Sequence, residues 1–212
     1  MGKVIILGTA HLATTPGKCS PDGRFKEYAF SREVVTLVES RLKALGYTVY
    51  VDYMATEPNA QMKGNTWRAQ QNNELKYRVG VVNSLCGKYG AKNCVYVSIH
   101  VNAAGADGKW HKASGVSVFV CPGASTNSQR IAKIYTSNAI RMELTGDRSI
   151  QPAKYWISNL YVLRNTLCPA ILTENMFQDN LKDVNFLLSD EGRDAIVDLH
   201  VKTITQYCEA NV

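Results

Sequence analysis

The sequence predicts an α/β fold, a single-domain layered structure with a largely parallel, mixed central sheet flanked by helices. Three observations predict it. Short β-branched runs alternate along the chain with longer stretches of helical apolar spacing, the order expected when helices both connect and cover a sheet. At 212 residues the chain is long enough for one sizeable core. No Pro-rich or Ser-rich linker and no internal repeat divides it, so residues 1–212 are expected to form one domain.

The elements follow in order. Residues 4–7 are a continuous apolar run suited to a buried strand. The run is shorter than the roughly 7–15 apolar residues of a signal-peptide core, so no signal peptide is expected in this chain. No stretch approaches the roughly 20 apolar residues of a membrane span. The loop "GTAHLATTPGKCSPDGRFK" comes next, rich in Gly, Pro, Ser and Thr and long enough to suggest function. Over residues 31–45, Val34, Val35, Val38, Leu42 and Leu45 have the spacing of an amphipathic helix, closed by Gly46. A strand over 48–52, a helix over 70–85 and strands over 95–101 and 115–121 follow. A helix over 128–142, a short strand over 170–173 and a closing helix over 191–207 complete the alternation.

The net charge of +6 and a pI near 9.0 favour an anionic neighbourhood. Basic residues are scattered rather than clustered and no nucleic-acid motif is present, which excludes nucleic acid as the expected partner. The six cysteines include no C-x-x-C pair and read as small buried hydrophobes. Cys86 and Cys94 are the pair that could bridge, across "GKYGAKN".

In parallel sheets, ligands gather outside the carboxyl ends of the strands. His11 lies just past the first strand, His100 closes the strand in "VYVSIHVNAAGADG", and Glu174 in "AILTENMF" follows the strand begun at Ala170. Three metal-capable or proton-transferring groups thus fall at one edge. A hydrolytic zinc site needs three His, Asp or Glu ligands and an open position for water. His11 and His100 supply two, and Glu27 in "GRFKEYAF", where the long loop enters the first helix, is best placed as the third. Glu33 is its rival, on what reads as a solvated helix face. Glu174 is left to take a proton from the water. The helical H-E-x-x-H signature is absent, so the fold must assemble the site. His111, beside Trp110 and Lys112, and His200, on the last helix, read as structural, with His111 still able to line a cleft.

The segments "HLATTPGKCSPDGRFKE", "YRVGVVN", "VYVSIHVNA" and "YVLRNTLCPAILTENMFQDN" resemble the zinc-dependent N-acetylmuramoyl-L-alanine amidases of the amidase-3 type, over nearly the whole chain and in order. The resemblance implies Zn2+ on His11, Glu27 and His100, with Glu174 as catalytic carboxylate. It further implies cleavage, in peptidoglycan, of the amide between the lactyl group of N-acetylmuramic acid and the first L-alanine of the stem peptide. That activity belongs at the cell envelope or outside the cell, in a wall-remodelling enzyme or a phage-type lysin. Arg78 and Asn83 match a family Arg and Asn and read as structural. The family usually flanks the first histidine with Gly and sets an Asp on the preceding strand. "LGTAHLA" puts Ala10 and Leu12 there instead, so side chains are expected at the mouth of the site, and the family's inserted inhibitory helix is absent. Three other readings stay open: a zinc peptidase or carboxypeptidase on another peptide, a wall-binding module with a degenerate site, and a cysteine hydrolase using Cys19 near His11.

Overall fold

In the computed structural model, which describes residues 3–146 and 153–210, six strands form one sheet in the order β2-β1-β3-β6-β4-β5. The strands are β1 (Val4–Thr9), β2 (Thr48–Val51), β3 (Cys94–Asn102), β4 (Ser117–Val120), β5 (Trp156–Ile157) and β6 (Ala170–Phe177). All neighbours run parallel except β4 against β6, which makes the sheet mixed, as expected.

Alternation along β3 divides the core. Val95, Val97, Ile99 and Val101 face one side with the buried residues of α1 (Glu27–Ala44), α3 (Thr126–Arg141) and α6 (Asp190–Glu209). Cys94 and Tyr96 face the other with α2 (Trp67–Tyr89) and the short α4 (Tyr161–Arg164). The seven-residue α5 (Leu181–Leu187) links β6 to α6 and seats Val184 and Leu187 in the first cluster. Each such Val or Leu contributes about 1.5–3 kcal/mol by leaving water.

Three elements outrun their expected bounds by three residues or more, for physical reasons. α1 begins at Glu27 rather than Ser31, because Phe30 extends the buried stripe of Val34, Val38 and Leu42 by one turn while Glu27 is buried as a charge. α2 carries few apolar residues, yet it runs from its Thr66 cap, whose hydroxyl accepts from Ala69 N at 3.1 Å, to Gly90 at φ 85°. β6 continues past Thr173 because Asn175 is wholly buried against α3 rather than ending the strand. β5, α4 and α5 have too few residues to show a period.

All six cysteines are free thiols, including Cys86 and Cys94. Four of them (Cys86, Cys94, Cys168 and Cys208) are buried, as small hydrophobes should be. Among the described residues, no helix is long and apolar enough to cross a membrane.

Candidate metal centre

β1 ends at Thr9, and the chain then turns so sharply that His11 takes φ 35°, a left-handed value costly for a side-chain-bearing residue. Two residues of α1 hold that turn. Ser31 Oγ accepts from Ala10 N at 2.8 Å and donates to Ile99 O at 2.7 Å, tying the end of β1 to that of β3. Arg32 donates to Ala10 O at 2.8 Å and to Ala55 O at 2.8 Å. Ala10 and Leu12 are both completely buried, so the expected side chains at the mouth of the site are instead packed into the interior.

Glu27, the first residue of α1, comes up beneath the two histidines. Ligand-type atoms of His11, Glu27 and His100 all lie within 4.8 Å of one another, a grouping able to hold a metal ion. His100 Nδ1 is 3.1 Å from Glu27 Oε1, and His11 Nε2 is 3.7 Å from Oε2. Donors on a tetrahedron with bonds of about 2.0–2.2 Å stand roughly 3.3 Å apart, so these spacings fit a small divalent ion. The rings of His11 and His100 meet edge to face at 5.0 Å.

The electrostatics point the same way. Glu27 is 1 % exposed; its Oε1 accepts from Val101 N at 3.1 Å, but Oε2 makes no hydrogen bond and has Lys18 Nζ at 3.9 Å. A buried carboxylate oxygen left this way is costly unless a cation completes it. Burial pushes the Glu27 carboxyl up, and His11, His100 and Lys18 outweigh it, so the group stays ionised. Burial, opposed in part by Glu27, lowers His11 to about 3, which leaves a neutral ring with a lone pair for a metal.

Glu174 stands beside this group: it is the in-register partner of His100 across β3 and β6 and shares one cavity with His11 and His100. The register shifts just beyond it, where Met176 takes φ 68°. Such a bulge turns the strand and re-aims the side chains beside it.

The other sequence candidates lie elsewhere. Glu33 pairs with Arg193 at 3.1 Å and is half exposed. His111 pairs with Asp107 at 2.8 Å outside the cavity walls, so the cleft-lining option is not realised. His200 is buried between Thr173 Oγ1 at 3.0 Å and Ile196 O at 2.8 Å. The backbone of Cys19 pairs with that of Lys26 in an isolated β-bridge, and Cys19 does not line the cavity. Arg78, which lines the cavity, pairs with Asp52 at 2.7 Å and Glu74 at 2.9 Å, and Asn83 clamps Asn165 O and Leu167 N. Sequence reasoning missed Ser31, Arg32 and Lys18. Ser31 and Glu27 stand four apart, one face of a helix, and that spacing was the available signal.

A family model described as N-acetylmuramoyl-L-alanine amidase matches residues 5–206. The N-acetylmuramoyl-L-alanine amidase CwlM of Bacillus licheniformis is 30% identical over 121 residues, 57% of this chain. That match spans 41% of CwlM's own length. Among solved structures, the CwlD amidase of Clostridioides difficile, in complex with the GerS lipoprotein, is similar with a TM-score of 0.80 at 21% identity, covering 98% of this chain and 99% of that one. The catalytic domain of CwlV from Bacillus (Paenibacillus) polymyxa is similar with a TM-score of 0.74 at 22% identity, covering 98% of both chains. These two likenesses show the fold. The family match runs through β1, α1, β3 and β6, the elements that carry the histidines and carboxylates described above, and the chain belongs to the Amidase_3 family of N-acetylmuramoyl-L-alanine amidases.

Proposed function

We propose that residues 1–212 act as one catalytic domain, a zinc-dependent amidohydrolase of peptidoglycan that cuts between N-acetylmuramic acid and the L-alanine of the stem peptide. One observation carries the reading: a buried carboxylate oxygen with no hydrogen bond faces a neutral histidine in a member of this family. His11, Glu27 and His100 hold the zinc ion. When bound, zinc supplies a Lewis acid that polarises a carbonyl and lowers the pKa of water to about 7. Glu174 takes a proton at its carboxylate from the attacking water and passes it to the leaving amine of alanine, a contribution of about 10²–10⁴-fold. Ser31 and Arg32 fix the backbone that presents His11. The enzyme acts at the cell envelope or outside the cell, where a net charge of +6 draws it to anionic wall material.

Mass spectrometry of a peptidoglycan digest tests this. The expected products are intact stem peptides with an alanyl amino terminus and muramic acid with a free lactyl carboxylate. Cuts found only inside the stem or cross-bridge would replace the amidase with a peptidase.

A further inference from the structure

Basic residues are scattered along the sequence, but the fold gathers four of them. Two hollows of about 450 and 320 Å³ lie between the outer surfaces of α3 and α6, and they share Arg141 and Gln206, so they adjoin as one groove. Arg130, Lys133, Arg141 and Lys202 line it, all exposed. Ile131 and Tyr135 of α3 and Ile204 of α6 pack into the core shared with α1, whereas residues of α2 and α4 wall the cavity of His11. The groove and the metal centre thus open on different sides of the sheet.

Helix periodicity produces the cluster. Ile131, Ala132, Tyr135 and Ala139 turn the apolar side of α3 inward, which leaves Arg130, Lys133, Ser137 and Arg141, at steps of three, four and four residues, in one outer stripe. α3 contains no Asp or Glu, and no carboxylate lines either hollow. Lys202 Nζ lies 4.0 Å from Asp198 Oδ2, but the other oxygen of that carboxylate is taken by Arg41. Like charges held together in this way repel one another until an anion joins them.

Shape and lining select the occupant. The stretch of helix from Arg130 to Arg141 is about 16 Å long, so the charges match a chain that bears several anions rather than one bound ion. A phosphodiester keeps its charge where carboxylates lose theirs on acidification, and the hydroxyls of Thr126 and Ser137 are placed to donate to its free oxygens. No aromatic ring lines the groove. Bases and sugar rings therefore have nothing to stack on, which disfavours nucleic acid and the glycan strand. A bilayer is flat and would meet only the rims of the groove, whereas a flexible polymer can enter it.

We infer that the groove between α3 and α6 binds a wall-associated polymer of phosphodiester-linked polyols, holding the protein by a face remote from its reacting groups. The choice of a wall polymer rests on the amidase reading above. The contact is electrostatic and local to the four cations, unlike a pull on the whole net charge. For a single-stranded polyanion the logarithm of affinity falls with that of salt by about 0.7 per phosphate contacted, so four contacts give a slope of about 3.

The test titrates poly(glycerol phosphate) of defined length into the full chain, read by calorimetry across a salt series. Lys133→Gln with Arg141→Gln takes two charges from the groove, and should weaken binding at low salt by about tenfold or more and cut the slope to about 1.4. Lys63→Gln with Lys109→Gln takes two exposed charges that line neither hollow nor the metal cavity, and so lowers the net charge of +6 equally. That second pair should change affinity by less than about threefold, since distant exposed charges are screened. Thermal unfolding checks that both variants are folded. No binding by the wild type, or an equal loss in the two folded pairs, overturns the inference. Groove-dependent binding as tight to poly-L-glutamate or to phosphatidylglycerol vesicles overturns the choice of occupant. Cleavage of a soluble N-acetylmuramoyl-L-alanyl peptide should be the same in both pairs as in the wild type. Its absence from zinc-loaded wild type overturns the amidase reading and leaves the titration to decide the groove by itself.

Discussion

Two buried charged clusters lie at the same end of the sheet, and they are finished differently. Around Arg78 the chain supplies its own partners. Asp52 Oδ1 accepts from Arg78 Nη1 at 2.7 Å and Thr9 N at 3.1 Å, and its Oδ2 accepts from Tyr96 at 2.9 Å, while Glu74 takes the other side of the guanidinium. Around Glu27, two histidines and a carboxylate converge, yet Oε2 has no hydrogen bond and His11 is held neutral. Burial is equally deep in both, for Glu27 is 1 % and Arg78 3 % exposed, so burial alone does not mark function. What separates them is what the side chains converge on: Arg78 is ion-paired on both sides within the chain, whereas His11, Glu27 and His100 bring ligand-type atoms to one point. In the Arg78 cluster the guanidinium lies between two carboxylates of the chain and is pushed further toward its charged form, although its Nη2 makes no directed hydrogen bond. The Glu27 cluster is a grouping able to hold a metal ion.

That contrast can be broken from either side. Replacing a member of the Glu27 cluster should have the largest effect on activity. Glu27→Gln should lower zinc content and turnover together, by about 10³-fold or more in rate if several kcal/mol of charge stabilisation is lost at 1.36 kcal/mol per decade. Elemental analysis paired with turnover checks it, and retained zinc with full activity would return the ligand role to another residue. Glu174→Gln should uncouple the two readouts, keeping zinc while losing about 10²–10⁴-fold in rate. A zinc-free Glu174→Gln protein would make Glu174 a ligand.

The Arg78 cluster should answer in stability. Arg78→Met leaves Asp52 and Glu74 buried without their cation, and denaturant unfolding should show a loss of about 3–5 kcal/mol. Zinc bound per folded molecule should stay unchanged, and a selective loss of zinc would erase the distinction between the clusters.

His200 offers a smaller version of the same contrast, a histidine whose two ring nitrogens are both satisfied. Burial, opposed by its bond to Ile196, lowers it from 6.5 to about 4. The unfolded chain therefore binds a proton that the folded chain refuses, so this part of the stability is present above pH 6.5 and lost as pH falls toward 4. Unfolding midpoints at pH 7 and pH 4 should differ by up to about 3 kcal/mol more in the wild type than in His200→Gln. Equal differences in the two proteins would remove His200 as the cause. Glu33→Gln should be nearly silent, within about 0.5 kcal/mol and with zinc unchanged, because it breaks only a surface pair with Arg193.

Much of this arrangement was legible in the residues. Alternation along 95–101 and helical spacing around Val34 and Val38 report burial directly, and strand ends locate His11 and His100 without any knowledge of contacts. Glu27 was legible only as a position, the entry to a helix. Its burial depends on Val101 N and Lys18, which are remote in sequence and leave no local period. Ser31 was hidden for the same reason, since its partners Ala10 and Ile99 come together only when β1 and β3 pair. Ala10 and Leu12 misled because a sequence gives a side chain's size but not its direction, and the left-handed turn at His11 lies between two residues that are both buried.

The strand order has a consequence for synthesis. β6 lies between β3 and β4, although it is the last strand made, and it carries Glu174. A chain emerging amino end first can pair β1 with β2 and β3, and so bring His11, Glu27 and His100 together, while its central slot is still empty. The carboxylate proposed to handle the proton arrives only when residues 170–177 are inserted, more than four fifths of the way along the chain. On the proposed roles, a chain stopped before residue 170 carries the three candidate metal ligands without the carboxylate that would move the proton.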